Sequence, residues 1–376
     1  MVIVTMNTGI VISGILSVIP RFTPKENISP LLEWAQFAAR FSCLIEDEPA
    51  ILQSILPYTL HCKGQVFNGT TVRKTTQDAE VVGISILNNQ VSSFDALPRW
   101  NLRLSPVLAA LRDVAALVTL PDVEFPMWLH DTASFDARSC IPIFVQEKNK
   151  HASGGILSPA RSSSFSTFHG WKYEKDLAIT KNARYIPIAQ KEKKAFFRGS
   201  PTGLHENINH WNTSLRGKIV QLSLDHPVLL DARFSHCEGV VEDHEICQNM
   251  LAANFMGNTV SHSDQWKYQL IVVPDGNSVP DRLLSFLTSN VVVLKSDSDN
   301  IEYWYPELEP FRHYIPFKSD ASDLITVIES ALQNTTLLEY ISRESTLFVL
   351  KRLNRDRTRC YWAMLIREYA NLMHSL

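Results

Sequence analysis

"AFFRGSPTG", residues 195–203, joins three apolar residues to an arginine, two glycines and two hydroxyl side chains. A strand that delivers Ala195, Phe196 and Phe197 to a core and then breaks at Arg198-Gly199-Ser200-Pro201-Thr202-Gly203 sets a cation, free backbone N–H groups and hydroxyls at one strand terminus. Those groups suit an anion, above all a phosphate. The same composition also builds ordinary exit turns, since Gly, Pro and Ser dominate turns everywhere. A second stretch, "IVVPDGNSVPDRLLSFL" (271–287), follows the same plan, with Gly276 and Ser278 in a turn after an apolar strand. Its pattern predicts a helix over Asp281–Thr288 with Pro280 at the first-turn position and Arg282 just inside. A cation there opposes the helix dipole, so its place asks for another reason, such as an anionic ligand. A third stretch, "PDVEFPMWLHD" (121–131), reads as a buried strand over Val123–Leu129 ending at His130 and Asp131. A carboxylate at a strand end faces the ligand crevice in α/β folds.

The elements that must carry these residues alternate between helical and strand periods. "SPLLEWAQFAARFSCLI" (29–45) and "SPVLAALRDVAALVTL" (105–120) have apolar residues at helical spacing. Residues 147–185 are rich in Ser, Gly and basic residues and read as a long irregular connection near a domain boundary. Beyond them "GKIVQLSL", "HPVLLDARF" and the strands Tyr268–Val273 and Val291–Leu294 give a βαβ rhythm, and a helical tail follows with caps expected near Ser322 and Thr358.

A chain of 376 residues exceeds the usual single core. The expected division is a first domain over 1–175, a second over 176–350, and a closing helix over 351–376 that returns to the first domain. Hydrophobic residues make up 45% and charged residues 20%, which excludes disorder for the bulk. With 36 Lys and Arg against 39 Asp and Glu and no basic block, nucleic acid is excluded as a partner. The six cysteines, Cys43, Cys62, Cys140, Cys237, Cys247 and Cys360, form no C-x-x-C pair, so a zinc ribbon is unsupported, while three disulfides are allowed. N-glycosylation tripeptides begin at Asn27, Asn68, Asn212 and Asn334. The apolar first 20 residues read as a signal, a membrane anchor or a first buried element.

In order and spacing, "LPDVEFPMWLHD", "IPIF", "AFFRGSPTG", "LLDARF", "KYQLIVVPDGNSVPDRLLSFLTSNVVVL", "YWYPELEPFRHYIPF" and "CYWAMLIREY" resemble glycosyltransferase family 90. That family holds the fungal capsule-associated xylosyltransferases and the animal protein O-glucosyltransferases, and the resemblance spans most of the chain from about residue 105. It implies an α/β, GT-B-like fold of two Rossmann-like domains facing a cleft, with C-terminal helices packing back across them, and makes the first domain the acceptor side and the second the nucleotide-sugar side. The implied activity is inverting, metal-independent transfer of glucose or xylose from UDP-glucose or UDP-xylose to a protein or polysaccharide hydroxyl, with no cofactor. By the same resemblance Asp131 is the catalytic base, Arg198, Gly199, Ser200 and Thr202 form the nucleotide-contacting loop, and Arg282 meets the diphosphate. Gly276 and Ser278 are placed with them at the donor. The family has Arg before its base and an aromatic-Pro pair after it. Here His130 precedes and Thr132-Ala133 follow, so His130 either joins the acceptor site or is structural.

Two other readings stand beside this one. A D-x-D pattern at Asp297-Ser298-Asp299 matches metal-dependent glycosyltransferases, or a solvated turn. A catalytically inactive binding protein on the same fold is the second. His313 and Tyr314 read as core residues near the donor stretch, Trp304, Trp362 and Tyr369 as packing, and Glu302 as either a sugar or uracil contact or a surface residue. The expected address is the lumen of the endoplasmic reticulum or Golgi, although the final "MHSL" is not a retention tetrapeptide.

Overall fold

The computed structural model describes residues 28–41, 43, 47–64, 69–76, 80–131, 133–159, 186–203, 211–237, 241 and 244–375. They form two compact units, one holding the described residues up to 159 together with 353–375, the other those from 186 to 352. The first 20 residues, the segment 160–185 with the expected boundary at 175, and Asn27 and Asn68 of the first two tripeptides lie outside the described residues.

The first unit opens with α1 (Ile28–Phe41), α2 (Asp47–His61) and the short α3 (Gly69–Thr75). β1 (Val81–Leu87) and β2 (Gln90–Phe94) form a hairpin across Asn88-Asn89, whose φ angles of 48° and 61° match the left-handed pair that a two-residue hairpin turn requires. The helix expected at 105–120 is α4 (Asn101–Ala115). It starts earlier and ends sooner, because Thr119 leaves the helical path to bond Glu33 Oε1 through its backbone N–H at 2.8 Å. β3 (Val123–Trp128), β4 (Phe144–Val145) and β5 (Ile156–Leu157) complete a sheet of order β2-β1-β3-β4-β5. Its β1 pairings are antiparallel and its β3-β4-β5 pairings parallel, so this sheet is mixed where a Rossmann half would be all parallel. The tight hairpin is the physical cause, since a two-residue turn can only join antiparallel strands. The closing helix Arg355–Ser375 belongs to this unit, where Tyr369 meets Phe144 edge-on at 4.8 Å and Trp362 and Tyr369 are fully buried.

The second unit comprises β6 (Glu192–Gly199), α5 (Leu215–Asp225), β7 (Leu230–Phe234), α6 (His244–Ala252), β8 (Tyr268–Val273), α7 (Leu283–Phe286), β9 (Val292–Ser296) and β10 (Ile315–Phe317); the βαβ rhythm read from the sequence runs from β6 to β9, and α6 and β10 stand outside that reading. The sheet is parallel throughout in the order β7-β6-β8-β9-β10. Both faces are covered, which is why Ala195, Phe197, Leu270, Val272, Val292 and Leu294 read as near-continuous apolar runs and are fully buried. Counted along the chain this order is 2-1-3-4-5, the doubly wound arrangement whose winding reverses between the first and third strands. In such sheets ligands bind past the C-terminal ends of those two strands. They are β6 and β8, and the two glycine-bearing turns singled out by composition follow them.

Two expectations are corrected here. The helix predicted over 281–288 is a single turn, α7, and Arg282 precedes it rather than standing in its first turn. A four-residue helix has little dipole to oppose, so the local conflict that drew attention to Arg282 dissolves. The tail is helical as α8 (Leu324–Leu332), α9 (Thr335–Arg352) and the closing helix, α10, but neither expected cap serves. Asn334 and Asn354 instead turn their Oδ1 atoms to the N–H groups of Leu337 and Arg357, both at 3.0 Å, because each precedes the first helical turn and an amide oxygen reaches three residues on.

Three disulfides are present: Cys43–Cys360 and Cys62–Cys140 in the first unit, Cys237–Cys247 in the second. They tie segments 317, 78 and 10 residues apart in sequence.

Candidate active site

The turns after β6 and β8 are held together by an arginine that the sequence reading missed. Arg216 stands in the first turn of α5, behind Ser214, whose hydroxyl accepts the Gly217 N–H at 3.1 Å and caps the helix. Its guanidinium donates to the carbonyls of Ser200 at 2.9 Å and Asp275 at 2.9 Å, one from each turn, and it is only 6% exposed. Gly276 makes this possible, since a Cβ there would run into the Thr202 hydroxyl and lie 2.7 Å from the Arg216 guanidinium. The turns also meet where Gly203, at φ +87°, donates its N–H to Asn277 Oδ1 at 2.9 Å. Arg216 carries the signal that sequence reasoning applied elsewhere: a cation in the first turn of a real, eleven-residue helix.

Arg282 joins the same cluster. Its guanidinium donates to the Arg198 carbonyl and passes over Gly199, where a Cβ would stand 2.5 Å from Nη2. Arg282 and Arg216 both lie against the Phe197 ring, at 5.4 and 5.9 Å from its centre. Burial pulls the Arg216 guanidinium down to about 9, with the charge on Arg282 adding to the effect, and burial pulls Arg282 down to about 10. Two cations enclosed side by side and bonded to neutral carbonyls make a centre that an anion would relieve. Ser278 lies beside it, 5% exposed, with a hydroxyl that has no hydrogen-bond partner among the described residues.

Arg198 does not converge with them through its side chain. Alternation along β6 puts Ala195, Phe197 and Gly199 on one face and Phe196 and Arg198 on the other. The Arg198 guanidinium therefore lies over the Phe196 ring at 4.5 Å and pairs with Asp231 Oδ1 at 2.8 Å, so only its carbonyl reaches the cluster. Ser200 stands in the turn after β6, where its hydroxyl meets His236 Nε2 at 2.8 Å.

The D-x-D stretch is a turn. Asp297 donates its N–H to Phe317 at 2.8 Å, and the Ser298 hydroxyl, between the two carboxylates, donates to Asp275 Oδ2. Asp297 and Asp299 are exposed, and no group of three His, Cys, Asp or Glu side chains among the described residues is arranged to hold a metal. Asp275 itself is half-buried, and loss of water around it raises its carboxyl above the usual range. Glu302 is not a surface residue: at 2% exposure it accepts the Trp304 indole N–H at 2.8 Å. His313 is buried with Nδ1 accepting the Glu309 N–H at 3.0 Å, and burial lowers its pKa. Tyr314 is half-buried.

Asp131 belongs to the first unit. β3 ends at Trp128, and just beyond it Arg103 of α4 grips the strand exit, donating to the Leu129 carbonyl at 2.8 Å and to Asp131 Oδ1 at 2.6 Å. This orients the carboxylate and leaves Oδ2 without a donor among the described residues. His130 is exposed, with its ring edge-on to Trp128 at 6.0 Å and Nδ1 3.2 Å from the Asp131 carbonyl.

Protein O-glucosyltransferase 3 of Rattus norvegicus is 28% identical over 298 residues, covering 77% of this chain and 54% of the relative. The Homo sapiens protein of the same name is 26% identical over 336 residues, covering 87% of this chain and 62% of the relative. The chain thus spans little more than half the length of these relatives. Among solved structures, Anabaena Alr3699/HepE in complex with UDP-glucose shares 11% identity over 74% of this chain and 69% of that one, at a TM-score of 0.34. The model of Glycosyl transferase family 90 matches residues 72–375, and the chain belongs to that family.

Proposed function

We propose that this chain is an inverting, metal-independent glycosyltransferase that moves glucose from UDP-glucose, or xylose from UDP-xylose, to a hydroxyl of a protein acceptor. The observation that carries the reading is the Arg216–Arg282 pair, two enclosed cations at the switch point of a parallel sheet, bonded only to carbonyls and flanked by glycine-bearing turns. Asp275 and Asp281 act on these cations only through space, and a nucleoside diphosphate would bring negative charge into direct contact with them. The names of the relatives, protein O-glucosyltransferases, support glucose and a protein acceptor.

In this reading the acceptor hydroxyl attacks the anomeric carbon as the bond from that carbon to the β-phosphate oxygen breaks. Asp131 takes the hydroxyl proton on Oδ2 while Arg103 holds Oδ1. A base is needed because the hydroxyl turns acidic only as the new bond forms, and a placed base contributes ~10²–10⁴-fold. Charge building on departing UDP is met by Arg216, Arg282 and the Ser278 and Thr202 hydroxyls. The UDP-sugar is a substrate, and the reading includes no cofactor. Three disulfides and exposed tripeptides at Asn212 and Asn334 support an oxidising secretory lumen. No helix among the described residues is long and apolar enough to cross a membrane.

The test is UDP release from UDP-glucose and from UDP-xylose by the purified chain in EDTA without an acceptor. Slow hydrolysis of one donor is expected. Activity that appears only when manganese is supplied would overturn the metal-independent mechanism, and no hydrolysis or binding of either donor would overturn the transferase.

A further inference from the structure

Ser200 and the segment that follows β7 are joined by hydrogen bonds that no step above uses. β6 and β7 run parallel in register up to the Gly199–Phe234 pair, and just past it the Ser235 N–H donates to the Gly199 carbonyl at 3.0 Å. This sets His236 beside the donor turn. Its Nδ1 lies 2.9 Å from Ser235 Oγ and its Nε2 lies 2.8 Å from Ser200 Oγ, so the ring bridges two hydroxyls. The segment is pinned from behind. Cys237 is 4% exposed and bonded to Cys247 in α6, and the Thr259 hydroxyl donates to the Ser235 carbonyl at 3.3 Å. His236 itself is exposed, and its place rests on these bonds rather than on packing.

The bridge constrains where protons sit. A neutral imidazole has one N–H and one lone pair, so one nitrogen donates and the other accepts. If Nε2 accepts, the Ser200 proton is committed to the ring and the hydroxyl can only accept a further bond. If Nε2 carries the proton, it donates to Ser200 Oγ, Ser235 donates to Nδ1, and the Ser200 proton is free to point at a third group. A phosphate oxygen is an acceptor, so a bound diphosphate selects the second arrangement. Ser235, His236, Ser200 and phosphate then form one chain of donors aligned in a single direction, in which each bond polarises the next.

We infer that His236 is a donor-positioning residue: it holds the Ser200 hydroxyl in place and turns its proton toward the diphosphate of the nucleotide sugar. This rests on the donor reading above and adds a residue that the composition of the turns does not reveal.

The experiment is UDP titration by calorimetry of the full chain and four variants, His236→Ala, His236→Gln, Ser200→Ala and the Ser200→Ala/His236→Ala pair. Losing one such hydrogen bond should weaken UDP binding roughly five- to tenfold in His236→Ala. His236→Gln, whose amide N–H can occupy the place of Nε2, should bind within about twofold of the parent. On the Ser200→Ala background the histidine substitution should add nothing, because the two residues act through one hydroxyl. A ring nitrogen spectrum of the unsubstituted protein should show Nε2 protonated once UDP is bound. Unchanged affinity in His236→Ala, an equal loss on both backgrounds, or a ring protonated at Nδ1 in the complex would overturn the inference alone. Failure of the unsubstituted chain to bind UDP would overturn the donor reading, and this inference with it.

Discussion

The ends of β6 and β3 carry the two halves of the proposed chemistry and are built in opposite ways. Past β6, Arg216 and Arg282 are enclosed, bonded to carbonyls of two turns, and admitted only because Gly199 and Gly276 have no side chain. Past β3, Asp131 and Arg103 keep 28% and 21% of their side-chain surface, and the carboxylate is held by one oxygen. The difference teaches that a group stabilising charge on a leaving phosphate works best fixed and away from water. A base that must meet a macromolecular hydroxyl needs an open side. The β3 end is paired on both flanks, Trp128 with Val81 and with Val145, and gripped by Arg103 of α4, whereas at the β6 end Gly199 is paired with Phe234 of β7.

The largest effect should come from the open end. Asp131→Asn removes the proton acceptor while keeping the shape, and should lower transfer ~10²–10⁴-fold with UDP affinity unchanged. Transfer assays paired with UDP titration check both halves. Equal loss of affinity would mean that the two strand ends are not separable in function.

Arg216→Ala attacks the enclosed end, and should weaken UDP binding roughly tenfold to a hundredfold, the range for a hydrogen bond to a charged partner. The thermal shift on adding UDP should shrink accordingly. A full ligand shift in this variant would remove Arg216 from the donor site and leave its carbonyl bonds as purely structural.

The smallest effect concerns a lysine in each unit. Lys148 donates to the Gly155 carbonyl at 3.0 Å and Lys191 to the Trp266 carbonyl at 2.6 Å, and burial lowers each ammonium to about 8. Their folded pKa lies below the unfolded value, so between pH 8 and about 10.4 the unfolded chain binds more protons and stability rises with pH. From pH 8 to 9 each lysine should add about 1 kcal/mol. Denaturant unfolding at the two pH values checks this, and Lys148→Met or Lys191→Met should each remove its own share. If only one share disappears, the enclosure of the other lysine is overstated.

Several features of the site were legible as residue types at strand ends. Gly199, Ser200, Thr202, Gly276 and Ser278 stand together because turns after parallel strands of a doubly wound sheet converge, and hydrophobic runs with glycine punctuation disclose those turns. Other features were hidden. Arg198 was misplaced because a turn-based reading ignores the face on which an alternating side chain falls, and that face belongs to Asp231. Arg282 drew notice through a helix that proved to be one turn long. Glu302 was taken for a sugar contact or a surface group because its indole partner, two residues away, is positioned only by the fold. His236 gave no signal, since its partner Ser200 is 36 residues distant in sequence and depends on the register of β6 against β7.

By itself the sequence determined the alternation of apolar strands and amphipathic helices, the chemistry offered at each strand terminus, and the number of cysteines that pairing could use. Those follow from local periodicity and from which side chains tolerate water. Tertiary structure decided strand order, the face taken by Arg198, the partners of the six cysteines and the meeting of Arg216 with Arg282. Each of these depends on contacts between residues far apart in the chain, whose free energy exists only after the sheet has assembled.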